Sequence, residues 1–368
     1  MDIIRELMSY RDRDIPYSRV LSSMCTVPHP VALKAHDIFV ETNLGDPGIF
    51  AGTVELEMKT VEMLGEILGN RNASGYICSG GTEANIQGIR AARNLKRAGK
   101  PNIVIPKSAH FSFEKICDIL GVEVRRADLN SDYTVSIPDV ERLVDRNTVA
   151  IVGIAGTTEL GQVDDIVELG KIAEERDIFL HVDAAFGGLV LPFIDRHIPF
   201  DFRIGGVSSI TVDPHKMGMA TIPAGGILFR DDGFLRALEV ETPYLTSKYQ
   251  YTLTGTRPGT GVASTYAVLK YLGDAGMREI VRKCVNNTRI LVEEMEAVGF
   301  EPVVEPIMNV VSFHAENPEE IKDGLYRRKW VISTIRNPKA IRMVIMPHVT
   351  EEVITAFMSD FRRLFGKG

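Results

Sequence analysis

Short apolar runs alternate with amphipathic stretches over the first two thirds of this chain, and that rhythm predicts its architecture. Runs suited to buried parallel strands occupy residues 75–78, 102–105, 122–124, 149–154, 178–180, 210–212 and 226–229. Between them, residues 83–98, 113–120, 138–144 and 165–176 carry apolar positions at helical spacing, each preceded by turn or capping residues. Such alternation predicts an α/β fold with right-handed crossovers and a mostly parallel sheet of seven strands. After Gly259 the texture changes. A helical pattern runs over 263–298, with a break near Gly273-Asp274-Ala275-Gly276, followed by strands at 309–314, 330–335 and 340–346 and a helix at 351–365. The expected division is an N-terminal arm (1–50), a large domain (51–258) and a small C-terminal α+β domain (259–368).

Composition narrows the class. With 368 residues, 45% of them hydrophobic and 25% charged, the chain matches an ordinary globular enzyme of two domains. A net charge of −7 argues against nucleic acid or an anionic membrane as partner. No apolar stretch approaches the ~20 residues of a membrane span. The start, Met1-Asp2-Ile3-Ile4-Arg5-Glu6, lacks a signal-peptide core. Four scattered cysteines without a CxxC pattern read as reduced thiols, so a cytoplasmic location is expected.

In such a sheet, ligands bind beyond the carboxyl ends of the strands, and the candidate chemistry clusters there. His181-Val182-Asp183-Ala184-Ala185 closes one strand with an acid, and Asp213-Pro214-His215-Lys216 follows another with an amine. An amine for a Schiff base and an acid to keep a pyridine nitrogen protonated are the pair that holds pyridoxal phosphate. Ser79-Gly80-Gly81-Thr82, between a strand and a helix start, suits a phosphate cradle, since glycines admit close approach to uncapped N–H groups. His110 follows another strand, where an imidazole can stack on the ring. Thr157 follows a fourth, within reach of the ring oxygen, and His215 suits the phosphate or a substrate carboxylate. Each segment also has a plainer reading: Thr82 as a helix cap, His110 capping the helix at Ser112, Thr157 in a loop, and Lys216 as a solvated amine. A metal site at His181 and Asp183 lacks further ligands, so no metal is expected. Arg342 is the leading candidate for a substrate carboxylate, with Arg257 and Arg336 behind it.

Taken together, the segments SGGTEAN, the histidine after the next strand, AGTTELG, HVDAAFGG and DPHK resemble the group II pyridoxal-phosphate-dependent amino-acid decarboxylases, in that family's order. The compact length, together with Val27-Pro28-His29-Pro30, Asn43–Gly48 and Pro243–Thr246, is similar to the archaeal L-tyrosine/L-aspartate decarboxylases. The resemblance implies a fold-type-I large domain and pyridoxal 5'-phosphate as cofactor. It makes Lys216 the Schiff-base lysine, Asp183 the pyridinium partner and His110 the stacking group. Ser79 to Thr82, Ser209 and His215 would hold the phosphate, Ala185 and Thr157 would lie at the ring, and His29 and Arg342 would meet substrate. Thr256 would reach the phosphate of a neighbouring subunit in a homodimer. The products implied are tyramine, for methanofuran, or β-alanine, for coenzyme A. Cys78 and Ser208 depart from the family pattern. The tyrosine that reprotonates carbon in larger animal relatives has two nearby candidates, Tyr249 and Tyr251. An aminotransferase, a phospho-sphingoid lyase or a non-catalytic binding module of the same fold are the alternatives.

Overall fold

The computed structural model describes residues 2–366. They form two compact units: residues 28–279, and the residues up to 27 together with those from 280 onward. The chain opens with α1 (Ile3–Arg11), capped by Asp2, whose carboxylate accepts from Ile4 N. In the larger unit, α2 (Pro30–Phe39) and α3 (Ala51–Ile67) precede a sheet of β1 (Ser74–Cys78), β2 (Asn102–Pro106), β3 (Glu123–Ala127), β4 (Thr148–Ile154), β5 (Phe179–Asp183), β6 (Val207–Val212) and β7 (Gly225–Phe229). All seven expected strands are present, in the order β1-β7-β6-β5-β4-β2-β3. Only β7 pairs antiparallel, with β1 on one side and β6 on the other, so six strands point the same way. Their carboxyl ends therefore share one edge, and Ser79, His110, Thr157, Asp183 and Lys216 all follow strands that end there.

Helices α4 (Gly81–Lys96), α5 (Ser112–Leu120), α6 (Ile137–Leu143) and α7 (Ile166–Glu175) supply the crossovers. Alternation along the strands decides which residues each helix meets. Gly153 in β4 lies under α7: a Cβ there would fall 2.5 Å from Ile166 Cδ1, so the missing side chain lets helix and sheet approach. His181 in β5 pairs with Val152 and faces the opposite way, toward α4. There Ile86 and Ile89 of α4 and Phe113 and Ile116 of α5 pack on Ile103, Val149, Ala150 and Val152. Beyond the sheet come α8 (Asp232–Arg236), the short pair β8 (Val240–Glu241) and β9 (Tyr249–Gln250), and α9 (Gly259–Glu296). The predicted break in that helix is real. Gly273 sits at φ 56° and ψ −171°, a conformation that favours glycine.

The smaller unit holds β10 (Val310–His314), α10 (Pro318–Tyr326), β11 (Ser333–Ile335), β12 (Ala340–Val344) and α11 (Glu351–Phe365), with an antiparallel sheet ordered β10-β12-β11. Its core surrounds Trp330, Phe313, Phe357 and Phe361. The unit boundaries differ from those expected. Residues 19–21 are bound into this unit: Val331 N donates to Arg19 O, Leu21 N to Val331 O, and Val344 N to Leu21 O. Leu21 is fully buried in its core. The described residues up to Val27 therefore belong with the C-terminal unit. The expected break at 258/259 is instead the start of α9, and the division falls within α9, after Glu279. Among the described residues, no helix is long and apolar enough to cross a membrane.

Candidate active site

The acid and the amine sit at the ends of adjacent strands, since Asp183 pairs with Thr211, two residues before Asp213. The Asp183 carboxylate is buried. Its Oδ2 accepts from Asn85 Nδ2 at 2.8 Å and its Oδ1 from Ala185 N at 3.1 Å. Lys216 Nζ lies 3.0 Å from Asp213 Oδ2, an ion pair in which the carboxylate is 2% exposed. The backbone of Ala185 joins the two acids, because its N–H serves Asp183 while its carbonyl accepts from Asp213 N at 3.1 Å. The other Asp213 oxygen, Oδ1, is buried with no hydrogen-bond partner.

Across from this pair, α4 begins without a side-chain cap. Its cap residue, Gly80, stands at φ 155° and ψ −178°, which only glycine adopts readily. A Cβ on Gly81 would lie 3.0 Å from Asp213 Oδ2 and 3.2 Å from Ala185 Cβ, and one on Gly225 would fall 2.3 Å from Gly80 Cα. Gly80 and Gly81 thus leave room at an uncapped helix N-terminus, beside a lysine, while Gly225 lets its strand pack directly on the Gly80 backbone. Such N–H groups and the helix dipole favour an anion. His215 lines the same cleft: its Cε1 is 3.1 Å from where a Gly80 Cβ would stand, and its Nδ1 accepts from Ala224 N at 3.2 Å. Burial lowers the His215 pKa, Asp213 opposes that shift, and Lys216 adds to it.

His110 makes the contact of its plainer reading. Its Nδ1 accepts from Ser112 N at 3.2 Å, which caps α5. Burial lowers its pKa, the nearby Asp183 charge raises it and Lys216 lowers it, so the ring stands within the field of both key residues. Thr157 is buried in its loop, where its hydroxyl accepts from Gln162 N at 3.0 Å.

Several expected contacts are made differently. The Ser79 hydroxyl is turned to Glu83, donating to Oε2 at 2.7 Å, and Ser79 N donates to the same oxygen at 2.9 Å. Glu83 therefore takes the donors that sequence reasoning assigned to a phosphate, which leaves the glycine amides. Ser209 lies within β6, and its Oγ is 2.8 Å from His181 Nδ1. Strand alternation points it beneath the sheet's α4 face, so it is not available to the cleft. Thr82 caps nothing, because Gly80 holds the cap position. Thr256 is exposed, and Arg336 is exposed at the end of β11.

Arg257 is engaged inside the protein. It is buried, donating to Glu57 Oε1 at 2.6 Å, to Glu57 Oε2 at 3.0 Å and to Ile77 O at 2.6 Å. His29 caps α2 by accepting from Val31 N at 3.2 Å, and its own N–H donates to Met219 O, three residues past Lys216. Within the smaller unit, Arg342 is buried on β12, donating to Ser22 O at 3.0 Å and Ser333 Oγ at 3.2 Å. Tyr251 is half-buried against Tyr76, with ring centroids 5.9 Å apart, whereas Tyr249 lies exposed on β9. Sequence reasoning missed Asp213 and Asn85 as participants. Both lie inside motifs already singled out, Asn85 one turn into α4 and Asp213 three residues before Lys216.

The residues fit pyridoxal phosphate. The glycine-lined helix start would take its anion, Lys216 its aldehyde and Asp183 its ring nitrogen, and Asp213 Oδ1 beside them is a buried oxygen without a hydrogen-bond partner. The comparisons with known proteins agree. Residues 49–316 match the model of the pyridoxal-dependent decarboxylase conserved domain. The chain is 72% identical over 364 residues to a probable L-aspartate decarboxylase of Archaeoglobus fulgidus, covering 99% of each. It is 54% identical to a probable L-tyrosine/L-aspartate decarboxylase of Methanothrix thermoacetophila, covering 98% of this chain and 93% of that protein. The solved glutamate decarboxylase of Lactobacillus brevis has the same fold, with a TM-score of 0.91 at 22% identity, covering 100% of this chain and 93% of that one. The chain belongs to the pyridoxal-dependent decarboxylase family, and its cofactor is pyridoxal 5'-phosphate.

Proposed function

We infer that this amino-acid decarboxylase removes the α-carboxylate of L-aspartate, L-tyrosine or both as CO2, acting as a cytoplasmic homodimer. One observation carries the reading: Asp183 closes one strand and Lys216 follows the parallel strand beside it, so acid and amine stand on one sheet edge. Aspartate is the substrate common to the names of the relatives at 72% and 54% identity, which favours it over tyrosine. Exposed Ile3, Ile4, Leu7 and Met8 on α1, a helix with no buried residue, support a second copy as cover. The cysteines among the described residues are free thiols, in keeping with a reducing compartment. The amine products fit methanofuran or coenzyme A synthesis.

Pyridoxal phosphate, when bound, supplies an aldehyde that captures amines and a protonated ring that draws electrons from the bond to be broken. Each side chain contributes to that chemistry. Lys216 would provide the amine that fastens the cofactor, and in the structure Asp213 holds that amine as an ion pair. Asp183, buried and anchored by two N–H donors, keeps a proton at the ring nitrogen. His110, whose pKa burial lowers, would offer a flat face to the ring. The helix N-terminus would hold the phosphate and so help to orient the substrate's carboxylate, and such positioning contributes about 7–11 kcal/mol in favourable cases.

The test is CO2 release from a panel of the standard amino acids by wild type and Lys216→Ala. Release from aspartate or tyrosine that Lys216→Ala abolishes is expected. Amino transfer to 2-oxoglutarate with no CO2 from any amino acid overturns the reading.

A further inference from the structure

Asn85 is a buried amide whose full hydrogen-bonding capacity is used, and what it touches connects three elements of the site. Its Nδ2 donates to Asp183 Oδ2 at 2.8 Å and to Ser112 Oγ at 3.3 Å, beside the α5 cap that His110 provides. Its Oδ1 accepts from Thr211 Oγ1 at 2.6 Å and faces His181 Nε2 at 3.0 Å. An amide has two donor hydrogens and two acceptor lone pairs, so all four positions are occupied. The orientation follows from charge: a carboxylate only accepts, so the nitrogen must face Asp183 and the oxygen must face His181. Nε2 of His181 therefore carries the ring hydrogen, and Nδ1 accepts from Ser209 Oγ at 2.8 Å. Burial pushes the His181 pKa down to about 4 against the pull of Asp183, so the ring stays neutral and cannot neutralise the acid. The missing Cβ of Gly88 makes room for this ring, since a methyl group there would lie 2.4 Å from Nδ1.

We propose that Asn85 is the positioning residue of Asp183, fixing the direction of its carboxylate, with Thr211, His181 and Ser209 locking the amide against rotation. The inference rests on Asp183 serving the ring nitrogen. Asn85 touches no reacting atom and acts only through that acid.

The test separates positioning from simple structural support. Cofactor-stripped full-length wild type and Asn85→Leu are titrated with pyridoxal phosphate, and with its analogue in which carbon replaces the ring nitrogen. Thr211→Val, which removes one donor from the amide oxygen with little change of shape, carries the same comparison should Asn85→Leu fail to fold. Wild type is expected to prefer pyridoxal phosphate. Asn85→Leu should weaken pyridoxal phosphate by about tenfold to a hundredfold, the scale of a hydrogen bond to a charged group, and Thr211→Val by a few fold. Binding of the carbon analogue should change by no more than about twofold, because that ligand makes no demand on Asp183. Equal losses for both ligands, or no loss for either, overturn the role of Asn85 while leaving that of Asp183 intact. A wild type that binds the two ligands equally well refutes the role of Asp183 itself, and the proposal falls with it.

Discussion

The Glu57–Arg257 pair offers the sharpest quantitative prediction, because the same arginine reads as a substrate group in the sequence and as a clamp in the structure. Glu57 accepts from both terminal nitrogens of Arg257 and from Ile77 N at 3.0 Å, while Arg257 returns a bond to Ile77 O. The pair thus ties α3 and the segment before α9 to β1, one residue before Cys78 and the glycine cleft. Burial alone would lower the arginine's pKa, and the Glu57 carboxylate more than reverses that. Glu57→Gln keeps the shape but leaves a guanidinium without its counter-ion, in a place where Arg257 is only 6% exposed. Breaking a buried pair by removing one partner costs about 3–5 kcal/mol. At roughly 2–4 °C per kcal/mol for a unit of this size, the melting temperature should fall by about 6–20 °C. Replacing both, as Glu57→Leu with Arg257→Met, should recover much of that loss, since apolar replacements of buried pairs are often neutral. Thermal unfolding with and without cofactor, beside KM for the preferred amino acid, makes the measurement. An Arg257→Met protein that melts like wild type but shows a many-fold higher KM would refute the clamp and return the arginine to the substrate.

Gly88→Ala should destabilise by about 1–3 kcal/mol in urea unfolding, despite the usual helix preference for alanine, because the new methyl overlaps the His181 ring; an unchanged midpoint would show that the ring can move aside. Two buried groups should titrate in opposite senses. His181, lowered from 6.5 to about 4 by burial, contributes stability that is fully present above pH 6.5 and is lost as the pH falls toward 4, on the order of 3 kcal/mol. Burial raises Asp164 from 3.8 to about 7 against backbone bonds from Ile154 and Val135, so its contribution is present below pH 3.8 and is lost as the pH rises through 7. Urea midpoints of His181→Gln and Asp164→Asn across pH check both, and slopes identical to wild type would contradict the assignments. Lys216→Met should lower the stability of the cofactor-free protein by about 1–3 kcal/mol by leaving Asp213 buried without its ammonium. Adding Asp213→Asn should restore it, and a double variant no more stable than the single one would argue against the pair.

The linear sequence determined what is local or periodic. Short apolar runs, helical spacing and strand-end position were enough to place seven strands and to put Lys216, Asp183, His110 and Thr157 at one sheet edge. The break at Gly273 was legible because glycine there breaks an otherwise helical pattern. Partner choice among polar groups was not legible, because it depends on which side chains meet across elements far apart in the chain. Asn85 and Asp183 are 98 residues apart, and Glu57 and Arg257 are 200 apart. Ser79 and Ser209 have hydroxyls at suitable sequence positions, yet Glu83 and His181 take them. The unit boundary was hidden for the same reason: Leu21 enters the C-terminal core through backbone bonds whose partners lie some three hundred residues away. Sequence pattern settles which face of an element is apolar and where each strand ends, since both follow from backbone periodicity. The choice of partner for a buried charge or amide falls to the tertiary structure, because hydrogen bonds form between atoms adjacent in space, whatever their separation along the chain.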